Sequence, residues 1–106
     1  MNNFHAIHSG DTLTITLPRS FNMASYEAFN TAYQAGKGTT EYYVLDFAQT
    51  HHLDSAALGL LLLLREHLDG QGQRIKLINL SESVERTLHT AQFQTLFDIP
   101  ELSTQV

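Results

Sequence analysis

An α/β domain is predicted, with a mostly parallel four-stranded sheet, an antiparallel hairpin at its N-terminal edge and about four helices. Three observations carry that expectation. The hydrophobic period switches between 2 and 3.6 along the chain, in the order ββαβαβαα. Two nearly continuous apolar runs, 41–47 (EYYVLDF) and 74–80 (RIKLINL), read as strands buried on both faces. A helical run between them, 55–69, makes a strand–helix–strand unit, which calls for parallel pairing and a right-handed crossover. The 106 residues fit one domain, 1–106, without internal repeat or low-complexity segment.

Phe4 and Ala6, with His8 next in the series, alternate with polar neighbours, and Leu13, Ile15 and Leu17 alternate again. Ser9-Gly10-Asp11 between them has turn chemistry, so the two strands form a hairpin. Pro18 ends the second strand because it has no N–H for a ladder. Tyr26, Phe29, Ala32 and Tyr33 carry the apolar spacing of a helix over 24–35, stopped by Gly36 and Gly38. After strand 41–47 comes a loop over 48–53, then helix 55–69, closed by Gly70-Gln71-Gly72, then strand 74–80. Ser81 is an N-cap for a helix with Val84, Thr87, Leu88 and Ala91 on one face. A last short helix over 93–97 precedes Pro100 and a polar tail.

Composition excludes several classes of function. There is no cysteine, so disulfides, thiolate metal sites and thiol nucleophiles are ruled out. A net charge of −5, with six scattered basic residues, argues against nucleic-acid binding, which needs clustered Lys and Arg. The start MNNFHAIHSG lacks the basic and apolar regions of a signal peptide. The longest apolar run, 56–64, is far short of the ~20 residues of a membrane span. A cytoplasmic protein that does not engage membranes is expected.

The chemistry concentrates in Asp54-Ser55, at the mouth of the most apolar helix. Asp54 is placed as an N-cap, and Ser55 then holds the first helical position. A phosphoryl group there would meet unpaired backbone N–H groups and the positive end of the helix dipole. The plainer alternative is that Asp-Ser merely starts a helix. At 100° per residue, Ala57, Leu60, Leu61, Leu64 and Leu68 share the side expected to face the sheet. Leu62 falls elsewhere, with Ser55, Gly59 and Glu66, and Leu58 flanks it. Either this side is an apolar docking patch around the hydroxyl, or the helix carrying Val84 and Leu88 covers Leu62.

The span YYVLDFAQTHHLDSAALGLLLLLREH, followed by IKLINLSESVERTLHTAQFQTLF, resembles the STAS domains of bacterial anti-sigma factor antagonists (anti-anti-sigma factors). With the hairpin and first helix the resemblance extends over nearly the whole chain. Its closest character is that of the stand-alone antagonists of proteobacterial partner-switching modules. The resemblance implies a STAS-like fold and a regulator that binds an anti-sigma factor or a regulatory kinase when unmodified. It implies that Ser55 is the phosphoacceptor, with Asp54 its neighbouring acid, and that a PP2C-type phosphatase resets the protein. The expected partner-binding residues are Asp54, Ser55, Ala56, Leu58, Gly59 and Leu62. Where many family members continue with Ser or Thr and then Gly, this chain has Ala56-Ala57, leaving a single hydroxyl at the motif.

No enzyme, cofactor or metal is expected, and the free protein is expected to be a monomer. His51, His52 and Asp54, and the pair His5 and His8, raise the question of a metal site. Strand residues three apart point to opposite faces, however, and the histidines read as loop and surface residues. Asp46 reads as a loop cap that faces the same end as Asp54. Gly70-Gln71-Gly72 follows a helix, the wrong context for a dinucleotide loop. An alternative within the same resemblance is a constitutive STAS subunit of a lipid-transport ABC complex. A small nucleotide-binding domain is a third class, with no phosphate loop in its favour.

Overall fold

The computed structural model describes residues 4–35 and 38–103. Strand β1 (His5–Ser9) pairs antiparallel with β2 (Thr12–Thr16), and Gly10, at φ 62°, makes the turn that a side chain would strain. A two-residue strand, β3 (Ser20–Phe21), follows Pro18. Asn22 then caps a 3-10 turn (Met23–Ser25) that runs into α1 (Tyr26–Gln34). Gly36, expected with Gly38 to stop that helix, lies outside the described residues. Next come β4 (Tyr42–Asp46), β5 (His52–Leu53), α2 (Ser55–His67), β6 (Ile75–Ile78), α3 (Glu82–Thr90), a 3-10 turn at Phe93–Thr95 and α4 (Pro100–Ser103).

The main sheet has the order β1-β2-β4-β6, with β2–β4 and β4–β6 parallel, which is the expected architecture. Leu13, Ile15, Tyr43, Leu45, Ile75 and Leu77 are buried, and their neighbours in sequence are not. The core therefore lies against one face of the sheet. Of α2, Ala57, Leu60, Leu61 and Leu64 are buried in it, with Leu68 at the C-cap, as the helical period requires.

Three expectations are corrected. The runs 41–47 and 74–80 are not buried on both faces: Tyr42 is 48% exposed, Val44 is half-buried and Lys76 is exposed. Their continuous apolar look misleads because the second face is built from residues that tolerate water. These include Thr12, Thr14 and Thr16 on β2, the hydroxyl-bearing Tyr42 and the long stem of Lys76. The stretch 48–53 is not wholly loop, since His52–Leu53 forms β5 and pairs parallel with β3. What reads as Pro100 and a polar tail is, over Pro100–Ser103, the helix α4. Proline fits a first helical turn, and Leu102 is 4% exposed in the core.

One close approach fixes the turn after α2. A Cβ added at Gly72 would lie 1.6 Å from the carbonyl oxygen of Leu96, so only glycine fits there. Arg65 Nε donates to that same oxygen at 3.3 Å and ties α2 to the 93–97 segment.

Candidate functional site

The carboxyl ends of the parallel strands and the N-termini of α2 and α3 share one end of the molecule, where open α/β sheets place their ligands. Asp54, in extended conformation, is the N-cap of α2: its Oδ1 accepts from Ala57 N–H at 2.9 Å. Its carbonyl accepts from Leu58 N–H at 3.3 Å. Ser55 follows as the first helical residue, with an exposed side chain. No acidic residue lies in the first turn, so apart from Asp54 the positive end of this 13-residue helix is uncompensated. The N–H groups of Ser55 and Ala56 have no partner among the described residues.

The loop that delivers Ser55 is clamped from below. Phe47 N–H donates to Ile78 O at 3.0 Å, and Thr50 N–H turns back to Phe47 O at 2.9 Å. Thr50, 1% exposed, donates its hydroxyl to Pro18 O at 2.9 Å, and Gln49 Nε2 donates to Leu17 O at 3.1 Å. The N–H groups of His51 and His52 both donate to Arg19 O, at 2.8 and 3.1 Å. On the facing segment the fully buried Ser25 accepts from Asn22 N–H through Oγ at 3.2 Å. Thr50 and Ser25 are the buried polar side chains among the described residues: Thr50 ties the 47–54 loop to Pro18, and Ser25 closes the 20–25 segment on itself. A buried hydroxyl left unpaired is costly, so these bonds hold one arrangement.

Two grooves flank the phosphoacceptor candidate. One, of about 580 Å³, is mixed in character and runs between β3/β5 and α3, past Asn22, His52, Asp54 and Ser83 as well as Leu53 and Val84. The other, of about 440 Å³, is apolar and runs between the 23–26 turn and α2, past Met23, Tyr26, Ala56, Gly59, Leu60 and Leu63. Met23 is 61% exposed, and Tyr26, Leu63 and Leu62 are also exposed.

Of the residues expected from sequence, Ser55, Gly59 and Leu62 are exposed and share one side of α2, and Asp54 is exposed at its N-cap. Ala56 is half-buried on the apolar-groove side, and Leu58 is half-buried against the core. The helix containing Val84 and Leu88 does not cover Leu62, which is 39% exposed. Asp46 acts as a loop cap: its Oδ1 accepts from Ala48 N–H at 2.9 Å and from Asn79 Nδ2 at 3.0 Å. His51 is exposed on the loop and His52 on β5, and His8 Nε2 meets Thr40 Oγ1 at 3.2 Å. Among the described residues no three His, Asp or Glu side chains converge to hold a metal ion.

Sequence reasoning missed Met23, Leu63, Thr50 and Ser25 as site residues, and it counted Tyr26 only in the apolar spacing of the first helix. Leu63 was within reach of the helical wheel, since it falls with Ala56 and Gly59, off the core side. Thr50 gave no signal, because its partner Pro18 lies 32 residues away on a separate loop. Ser25 did carry one, since Asn22-x-x-Ser25 is the spacing of a capping box.

The STAS domain family profile matches residues 3–105. A STAS-domain containing protein of Pseudomonas aeruginosa (strain UCBPP-PA14) is 39% identical over 90 residues, covering 85% of this chain and 89% of that protein. Among solved structures, the anti-sigma factor antagonist SpoIIAA in its unphosphorylated form superposes with a TM-score of 0.76 at 18% identity, over 92% of this chain and 87% of that one. The phosphorylated Bacillus SpoIIAA gives 0.69 at 17% identity, over 92% and 90%. A putative anti-sigma factor antagonist of Thermotoga maritima gives 0.76 at 20% identity, over 91% and 84%.

Proposed function

The chain belongs to the STAS domain family, and from that premise we propose that it is an anti-sigma factor antagonist switched by phosphorylation of Ser55. Unmodified, it binds an anti-sigma factor, or an equivalent regulatory kinase, through Asp54, Ser55, Ala56, Leu58, Gly59 and Leu62. A kinase transfers the γ-phosphoryl group of ATP to Ser55 Oγ, and the partner is released. A PP2C-type phosphatase hydrolyses the phosphoester and restores the binding form. The chain is a monomeric cytoplasmic binding protein in this scheme and catalyses nothing itself.

The observation that carries this reading is the hydroxyl of Ser55, exposed at the first position of α2 beside two unpartnered N–H groups. A phosphate adds about −1.5 to −2 charges, which those groups and the helix dipole can solvate in the free protein. In a complex the same charge lies beside Asp54 and against the apolar side chains of Leu58 and Leu62. Repulsion and desolvation then both oppose docking. The SpoIIAA structures support the idea by analogy, since that protein is known in phosphorylated and unphosphorylated forms of similar fold.

The test is incubation with ATP and the anti-sigma factor kinase, followed by intact-mass measurement and peptide mapping. One phosphoryl group on Ser55, and none on Ser55→Ala, is expected. Modification elsewhere, or undiminished modification of Ser55→Ala, counts against the assignment.

A further inference from the structure

We infer that the apolar groove between Met23–Tyr26 and α2 receives a helix of the same partner, an amphipathic one with an apolar stripe and basic flanks. The inference rests on the antagonist reading of Ser55 and extends the docking surface to residues on a second element.

Gly59 is the pivotal observation. It stands in the middle of α2, where glycine is the least favourable residue after proline. Nothing inside the chain asks for it: a Cβ built there meets no atom within 4 Å, and Gly59 is absent from the positive-φ residues. What its missing side chain does is leave a gap in the surface of α2. Ala56, Gly59 and Leu63 follow the i, i+3, i+7 row, so the gap is part of a lengthwise furrow. Furrows of this kind accept the side-chain ridge of another helix, and a glycine lets the two backbones come close.

The walls of the furrow suit such an occupant. Met23 is a flexible, polarizable side chain, 61% exposed, and Tyr26 supplies an aromatic face with a polar tip. No charged residue lines the groove. The charges at its ends are acidic: Asp54 before the first turn, and the exposed Glu66 one turn beyond Leu62 and Leu63. Arg65 is engaged with Leu96 O, Arg74 with the carbonyls of Thr40 and Glu41, and Arg86 with Glu82, while the exposed Arg19, whose carbonyl holds the 51–52 turn, is not part of the groove lining. An apolar centre between acidic ends is complementary to an apolar stripe flanked by Lys or Arg. Parallel pairing of β3 with β5, with the Thr50 bond to Pro18 O, holds the segment leading into the Met23–Tyr26 wall against the strand leading into Ser55. A phosphate on Ser55 therefore acts at the mouth of the furrow that the helix must enter.

The experiment titrates the anti-sigma factor into the full chain and into Gly59→Leu, Leu63→Gln and Ser55→Asp, with thermal denaturation of each. Gly59→Leu fills the furrow and improves helix propensity, so it is expected to melt at or above the parent temperature and to bind at least tenfold more weakly. Leu63→Gln is expected to fold normally and to bind more weakly too, which covers the case of Gly59→Leu misfolding. Parental affinity in both groove variants, with Ser55→Asp impaired, overturns the groove and leaves the switch standing. Parental affinity in Ser55→Asp overturns the switch and this inference with it. Self-association of the parent that Gly59→Leu abolishes would show a second copy in the furrow and overturn the assigned occupant.

Discussion

Leu61 and Leu62 are adjacent in the chain and opposite in role, and replacing each with alanine separates the core of the domain from its surface. Leu61 is fully buried against the sheet, whereas Leu62 is 39% exposed. Truncating a buried leucine removes its transfer free energy and leaves a cavity, at a cost of about 2–5 kcal/mol. A domain of this size has a total stability of about 5–15 kcal/mol. Each kcal/mol moves the melting temperature by about 4–8 °C, so Leu61→Ala should melt at least about 8 °C lower. Leu62→Ala removes a side chain that is already wet and improves helix propensity slightly, so its cost should stay within about 0.5–1 kcal/mol. Its expected effect is on partner affinity. Thermal and urea denaturation of both variants, followed by titration with the partner, reads the difference. Equal destabilisation by the two substitutions would refute the assignment of faces on α2.

Gly72→Ala should cost at least about 3 kcal/mol, the upper end for overpacking, because its Cβ would lie 1.6 Å from a backbone oxygen that cannot swing aside; urea denaturation checks it. Thr50→Val keeps the volume but strands Pro18 O, so about 1–3 kcal/mol should be lost, and hydrogen exchange should accelerate over 47–54. Burial raises the phenol of Tyr33, with Tyr26 and Tyr43 adding to it, and burial likewise raises that of Tyr43 against the opposing pull of Arg74. Groups with a raised folded-state pKa stabilise fully below their unfolded value, near 10, and lose that contribution as pH climbs through the folded one. The melting temperature should thus fall on the alkaline side above about pH 10, and less steeply in Tyr33→Phe.

The parts of the fold that were legible in the sequence are those fixed by local periodicity. The core positions of α2, with Leu68 at its C-cap, follow from its 3.6 period, and the Asp54 and Ser81 caps follow from residue chemistry at helix starts. The β3–β5 pairing was not legible, because two-residue strands have no period and their register comes from bonds such as Thr50 to Pro18, 32 residues apart. The open face of the sheet was hidden for another reason. Tyr42 and Val44 look like core residues in sequence, and only the placement of the helices leaves them uncovered. Tyr26 is a related case: it shares the apolar spacing of Phe29 and Tyr33, yet it sits at the first position of α1, where the 23–26 turn lifts it to the surface. The phosphoacceptor candidate was visible because its chemistry is local to one helix start. The apolar groove beside it was not, because one wall comes from another element.

The charge state of Ser55 is the central variable of the proposed switch. Calorimetric titration of the anti-sigma factor with the unmodified, Ser55-phosphorylated, Ser55→Ala and Ser55→Asp proteins is the most direct measurement. Unmodified protein and Ser55→Ala should bind alike, and phosphorylation should weaken binding by about a hundredfold, which corresponds to about 3 kcal/mol. Ser55→Asp should fold normally and fall between them, since one carboxylate carries less charge than a phosphate. Equal affinity for all four forms would contradict the account and leave Ser55 as the first residue of a helix in a constitutive subunit.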